Sequence, residues 1–130
     1  MKVKFLGTGT STGVPQIGCR CEVCSSGDSR DKRLRTSVMI EIDEVVITID
    51  CTPDFRQQML SLPFRKIDAI LFTHEHYDHV GGIDDLRPFS IFGPVNLYME
   101  EHLENRLRER MPYCFAEHKY GGVPDLIVRR

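Results

Sequence analysis

Residues 73–82 read Thr73-His74-Glu75-His76-Tyr77-Asp78-His79-Val80-Gly81-Gly82, and this stretch decides the fold. Three imidazoles and two carboxylates, those of Glu75 and Asp78, fall within six consecutive positions. The apolar run 67–72 directly before them has the length and the branched composition of a buried strand. The imidazoles are therefore expected to begin where a buried strand ends. The candidate metal ligands are His74, His76, Asp78 and His79.

The spacing of these ligands predicts two neighbouring metal ions. In extended backbone, residues two apart point to the same side, so His74 and His76 can share one ion. Asp78 and His79 can reach a second ion after the chain turns. Imidazole and carboxylate are the ligands expected for zinc, manganese or iron. A bound metal lowers the pKa of its water from about 15.7 towards about 7, which makes hydroxide available at neutral pH.

Two other interpretations of the histidine run are weaker. The helical zinc-protease motif requires a second His four positions after the first, and that position is Asp78. Surface or core histidines without a metal would not explain why three of the chain's five histidines lie beside one Asp. Glu75 and Tyr77 alternate outward from the ligands, and the sequence assigns them no role.

Composition indicates one modest soluble domain over residues 1–130, with 41% hydrophobic and 28% charged residues. The net charge of -2 gives no general attraction to nucleic acid or to anionic membranes, so neither is an expected partner. The N-terminus reaches Gly7 before a signal-peptide apolar region forms, and no apolar run has the length of a membrane span. We therefore expect a cytoplasmic protein.

The cysteines predict a second metal site. Five cysteines, with three of them crowded into residues 19–24, fit a zinc clip in a reducing compartment better than a secreted disulfide framework. A closed structural zinc site needs four ligands and only three are local, so a fourth must come from elsewhere. The alternative is a loop of reduced cysteines without a metal. The clip is Cys19, Cys21 and Cys24, and the candidates for the fourth ligand are Cys51, His102, Cys114 and His118.

Cys51 and Cys114 are explained more simply as small apolar core residues, and His102 as an exposed residue of an amphipathic helix.

The rest of the chain predicts strands that alternate with short helices. The basic stretch 30–35 is interpreted as solvated charge, with contact to a substrate phosphate as the alternative. Helices are expected to cover one face of the sheet and to leave the other face in need of a partner. The predicted elements are a strand over 3–6 that enters a glycine-rich loop over 7–13, a β-hairpin over 36–50, a helix that starts at 52–54 and ends before Pro63, a strand over 95–99, a helix over 100–111, and a strand-like tail over 123–130.

The ligand pattern resembles the metallo-β-lactamase superfamily, whose signature is His-x-His-x-Asp-His. Four further segments resemble its phosphonate-operon phosphodiesterase (PhnP-like) branch, and together they span nearly all of the first ninety residues. They are the glycine-rich loop 7–15, the cysteine clip, Arg35-Thr36-Ser37, and Gly82-Ile83-Asp84-Asp85-Leu86-Arg87-Pro88.

This resemblance implies an α/β fold of the αββα sandwich type, a dinuclear zinc or manganese site and a separate structural zinc. It also implies hydrolysis of small phosphodiesters, with cyclic ribose phosphates as the substrates of the best-matched branch. By the same resemblance, His74 and His76 bind the first metal, and Asp78 and His79 bind the second. The resemblance also implies that Cys19, Cys21 and Cys24 bind the structural zinc. Asp78 is the expected catalytic residue, because it can accept a hydrogen bond from the attacking water.

The chain also departs from the family pattern. The family completes its site with a further His, a bridging Asp and a last His from the second half of the sandwich, and this sequence stops before they would appear. His118 and Asp125 come too soon after the motif to replace them. We therefore expect residues 1–130 to form the N-terminal half of such an enzyme. The open face would be covered by a homodimer partner or by a missing C-terminal half.

Three other functions remain open at this stage. A tRNA 3'-end endonuclease shares the histidine motif but would favour a more extended basic surface. A branch in quinone-cofactor biosynthesis shares a similar glycine loop and cysteine clip. A truncated metal-binding fragment without catalytic activity is the third, because four ligands divided between two ions leave each ion underligated.

Overall fold

One mixed sheet of six strands organises the described part of the chain. The computed structural model describes residues 1–117 and 120–130. The strands lie in sequence order across the sheet; the first three are antiparallel, and the third to the sixth are parallel. They are β1 (Lys2–Gly7), β2 (Ser37–Ile42), β3 (Val45–Ile49), β4 (Ala69–Leu71), β5 (Val95–Tyr98) and β6 (Leu126–Arg129). This confirms the predicted hairpin, strands and tail.

Helices occupy the crossovers between the parallel strands, as parallel pairing requires. On α4 (Glu101–Arg110) Leu103 and Leu107 are buried in the core, and the carboxylate of Glu104, itself only 12% exposed, pairs with Arg108 at 2.7 Å. The helices are α1 (Glu22–Ser25), α2 (Phe55–Leu60), α3 (Tyr77–Val80) and α4 (Glu101–Arg110), with 3₁₀ turns at Ser29–Asp31, Ile83–Phe92 and Pro112–Cys114. Among the described residues, no helix has the length and hydropathy of a membrane span.

The two faces of the sheet differ. One face packs against the helices and forms the core, with buried side chains in register at Met39, Thr48, Ile70 and Leu97. The opposite face carries a second row across the strands, formed by Phe5, Val38, Ile49, Leu71 and Tyr98. Phe5 is 69% exposed and Tyr98 is 40% exposed. An apolar row exposed in this way is the feature expected of a sheet that needs a partner.

Two local predictions need correction. The helix expected to start at 52–54 begins at Phe55, and the carboxylate of Asp54 does not cap it. Instead, Asp54 accepts from the Arg35 backbone N–H at 2.7 Å and from its guanidinium at 2.8 Å. The basic stretch is therefore not solvated at Arg35, because this side chain ties the glycine-rich loop, through the carbonyl of Ser11 at 2.8 Å, to the start of α2.

Candidate metal centre

The imidazole turn, residues 74–79, lies at the carboxyl edge of the sheet. β4 ends at Leu71, and α3 begins at Tyr77, so the first two histidines occupy the loop between them. The ring centroids of His74 and His76 lie 4.8 Å apart, and those of His74 and His79 lie 4.0 Å apart. The structure therefore brings the three predicted imidazoles together where a buried strand ends.

His79 is held between two carboxylates. Its Nδ1 lies 2.7 Å from Oδ2 of Asp50, and its Nε2 lies 3.1 Å from Oδ2 of Asp78. A neutral imidazole whose Nδ1 proton goes to Asp50 presents a lone pair at Nε2, and the Asp78 carboxylate presents lone pairs of its own. A cation between them would be bound by both lone pairs. Donors at about 2.0 Å from one tetrahedral zinc lie about 3.3 Å apart, which is close to the observed separation.

Asp50 is the anchor of this arrangement. Its side chain is 5% exposed. Oδ1 accepts from the Thr73 backbone N–H at 2.8 Å, and the Thr73 hydroxyl also reaches both carboxylate oxygens, at 2.9 and 3.0 Å. A carboxylate fixed by several donors fixes the imidazole that it faces, as carboxylate–histidine pairs do beside metals.

Sequence reasoning missed both Asp50 and Thr73. The available signal was position: Asp50 follows β3, the parallel neighbour of β4, and the carboxyl ends of parallel strands meet at one edge.

Cys51 supports the turn through its backbone. Its N–H donates to the carbonyl of His79 at 2.8 Å, and its carbonyl accepts from the N–H of Gly82 at 2.9 Å. The thiol is fully buried, and burial, together with nearby Asp85 and Asp50, raises its pKa. Cys51 and the equally buried Cys114 are thus core residues, as expected, and not ligands of the clip.

The three side chains of the cysteine clip lie close together. The sulfur atoms of Cys19, Cys21 and Cys24 all lie within 4.8 Å of one another, and sulfurs around one tetrahedral zinc lie about 3.8 Å apart. Backbone N–H groups of Cys24 and Gln16 donate to the sulfurs of Cys21 and Cys24 at 3.4 and 3.5 Å. The Cys24 N–H, followed by the Cys19 and Cys24 side chains, lowers the pKa of Cys21. This favours the thiolate form that binds metal. For Cys24 the Gln16 N–H lowers the pKa, but the Cys19 side chain, burial and Cys21 together raise it, so of these two thiols Cys21 is the one that ionises more readily.

A fourth ligand for the clip is not found among residues 1–117 and 120–130. In that part of the chain the clip is the one group of three or more such side chains whose ligand atoms all lie within 4.8 Å. His102 is 73% exposed on α4 and lies beside Glu75 instead. His118, the remaining candidate, falls outside the described residues. The described ligand atoms of the imidazole turn do not form such a group of three.

Comparison with known proteins shows the family of this chain. Residues 46–128 match the sequence profile of the beta-lactamase superfamily domain. The chain belongs to the beta-lactamase superfamily. The superfamily segment begins within β3, so it contains Asp50 and the whole imidazole turn. Solved metallo-β-lactamase-fold proteins share this arrangement of sheet and helices, and the predicted fold class is confirmed.

Two solved structures cover nearly the whole of this superfamily member. A diphosphatase of the PhnP family is 44% identical with a TM-score of 0.87, and it is matched over 98% of this chain and 49% of its own. Zinc-bound PqqB from Methylobacterium extorquens is 29% identical with a TM-score of 0.76, over the same shares of the two chains. The predicted resemblance to the PhnP-like branch is therefore confirmed.

A curated relative is more similar in sequence but has a different name. An octanoyltransferase of Porphyromonas gingivalis is 49% identical over 127 residues, which are 97% of this chain and 26% of that protein. The chain thus spans about a quarter of that relative and about half of each solved structure.

Proposed function

We propose that the protein is a metal-dependent phosphodiesterase that acts on cyclic ribose phosphates or related small phosphodiesters. The observation that carries this proposal is the His79 imidazole, which is fixed by Asp50 with its Nε2 facing Asp78 at 3.1 Å. The likeness to a diphosphatase of the PhnP family supports phosphorus chemistry in particular.

The donor set fits two divalent ions, zinc or manganese. His74 and His76 would hold one, and Asp78 and His79 the other, with further ligands needed to complete both. Such ions neutralise charge on the phosphoryl oxygens and lower the pKa of water. Asp50, by accepting from Nδ1 of His79, would leave the Nε2 lone pair of that imidazole available to a metal ion. Asp78 acts as the catalytic residue by accepting a hydrogen bond from the attacking water, which orients its lone pair towards phosphorus.

The same proposal gives the cysteine clip a structural zinc held by Cys19, Cys21 and Cys24. It also implies that another part of the protein covers the open apolar face of the sheet. That cover would be a second sheet, supplied by a longer chain or by a second copy. An apolar row across five strands costs free energy in water where its side chains are exposed, as Phe5, Leu71 and Tyr98 are.

Replacement of Asp50 by Asn is expected to weaken metal binding at the imidazole turn by about tenfold to a hundredfold. Asn preserves the shape and tolerates the positive φ of 62° at this position, but its neutral amide is a weaker acceptor for the His79 proton. The affinity can be measured by competition with a chromogenic chelator. Asp43→Asn is the matched control, because Asp43 also has a positive φ, of 53°, and is exposed at the β2–β3 turn. Equal affinities in the two variants would contradict the role of Asp50.

The proposed activity is tested with a bis-aryl phosphodiester and a cyclic ribose phosphate. Removal of metal with a chelator is expected to abolish hydrolysis of both, and added zinc or manganese is expected to restore it. Hydrolysis that survives complete chelation would contradict metal dependence. Cleavage confined to tRNA precursors, with strong salt dependence, would instead identify a tRNA 3'-end endonuclease.

A second candidate is a role in quinone-cofactor biosynthesis. The likeness to zinc-bound PqqB over 98% of this chain is the observation that favours it. A fully metallated protein that hydrolyses none of the phosphodiesters would support this candidate. A protein that hydrolyses none of the phosphodiesters and binds no metal at the imidazole turn would instead be a catalytically silent fragment.

A further inference from the structure

Glu75, between His74 and His76, is enclosed by cationic side chains of α4. Its Oε2 is buried and accepts no hydrogen bond within the described structure. Nε2 of His102 lies 3.8 Å from this oxygen, and Nε of Arg106 lies 3.7 Å from it. Nη2 of Arg110 lies 3.6 Å from the other carboxylate oxygen, Oε1. One carboxylate therefore faces three cationic or potentially cationic groups.

These groups form one stripe along the helix. His102, Arg106 and Arg110 are four residues apart, so they share a face of α4, and Leu103 and Leu107 lie buried on the face that packs against the sheet. Arg110 also donates from Nη1 to the backbone carbonyl of Glu75 at 2.8 Å. The stripe therefore contacts both the side chain and the main chain of the residue between two candidate metal ligands.

We propose that Glu75 is a positioning residue, which ties the imidazole turn to the cationic stripe of α4 and so holds His74 and His76 in the orientation that binds metal. The inference rests on the proposed metal site. The loop between β4 and α3 has no regular secondary structure at His74, so its conformation depends on contacts of this kind and on the Thr73 hydroxyl, which lies 3.0 Å from Nδ1 of His74. The orientation of His79 does not depend on Glu75, because the Asp50 carboxylate holds the His79 ring through Nδ1.

The chain offers a matched control for the charge. Glu109 accepts from Nη1 of Arg106 at 3.1 Å, and it is exposed on the last turn of α4. Glu109→Gln thus removes a carboxylate from the same arginine without touching the imidazole turn. Glu75→Gln removes the carboxylate inside the turn and keeps the size of the side chain.

The test is a titration of the metal-free protein with Co²⁺, followed by its visible absorption. Cobalt bound by imidazole and carboxylate lacks the intense thiolate charge-transfer bands of cobalt in the cysteine clip, so the two sites are read separately. Glu75→Gln is expected to weaken binding at the imidazole turn by about tenfold and to alter the ligand-field bands, because the geometry of the ligands changes. Glu109→Gln is expected to reproduce the wild-type titration.

A second variant keeps the test independent of the Glu75 substitution. Arg110→Met removes the donor to the Glu75 carbonyl and is expected to weaken cobalt binding at the turn to a similar extent. Combined with Glu75→Gln, it should cost less than the product of the two single effects, since both act through one contact.

The outcomes separate this inference from the proposed function. Variants that lower the unfolding temperature but bind cobalt as the wild type does would show that the contact serves stability alone, and the inference would be wrong. A wild-type protein that binds cobalt only in the cysteine clip would overturn the proposed metal site and the inference together. Wild-type binding at the turn with unchanged binding in Glu75→Gln would overturn the inference only.

Discussion

Asp78→Asn is expected to reduce turnover of a bis-aryl phosphodiester at least about a hundredfold at saturating metal. The Asp78 carboxylate lies 3.1 Å from Nε2 of His79, where it can ligate an ion and orient the attacking water. An amide retains one oxygen for the ion but lacks the negative charge that makes Asp a strong acceptor for the water. Turnover should therefore fall further than metal affinity does.

The measurement is kcat with metal content determined on the same sample. Asp43→Asn makes the same chemical change at an exposed turn and should leave kcat unchanged. Wild-type kcat in Asp78→Asn with both metals bound would refute the catalytic role of Asp78 and leave it, at most, as a ligand.

Gly82→Ala is expected to destabilise the protein by about 3 kcal/mol, at the upper end of overpacking effects. A Cβ at this position would lie 2.2 Å from the backbone carbonyl oxygen of Thr52 and 2.7 Å from Cβ of Phe55. Neither neighbour is a flexible side-chain end, so the backbone must move. The shift would also strain the bond from the Gly82 N–H to the Cys51 carbonyl, which is 2.9 Å long.

Thermal unfolding of the metal-free protein measures this effect, with an expected fall in Tm of about 10 °C. Gly27→Ala is the control, because a Cβ there meets no atom within 4 Å, and its Tm should stay close to that of the wild type. Because Cys51 also bonds to the carbonyl of His79, Gly82→Ala should weaken metal binding as well. An unchanged Tm would mean that the turn after α3 is looser than the structure shows.

The sequence was sufficient for the elements and for the ligands that are close in sequence. The strand before the imidazole turn, the hairpin and α4 were predictable, because apolar periodicity and breaking residues report local structure. His74, His76 and His79 could be grouped because a spacing of five residues or fewer guarantees proximity once the chain turns.

Contacts made across the fold could not be predicted in the same way. Asp50 stands 29 residues before His79 and resembles any acidic residue after a strand until strand order is known. Glu75 was assigned no role, because its partners come from a helix 27 to 35 residues further along the chain. Arg35 looked like part of a solvated charge run, because its partner Asp54 becomes its neighbour only in the folded protein.

Metal binding at the imidazole turn can be tested by anomalous diffraction at the zinc edge from crystals of the protein grown with zinc. We expect anomalous density at the imidazole turn, within bonding distance of Asp78 and His79, and a separate peak among the three cysteines. Imidazole rings that point apart with only solvent between them would contradict the metal site and with it the proposed phosphodiesterase.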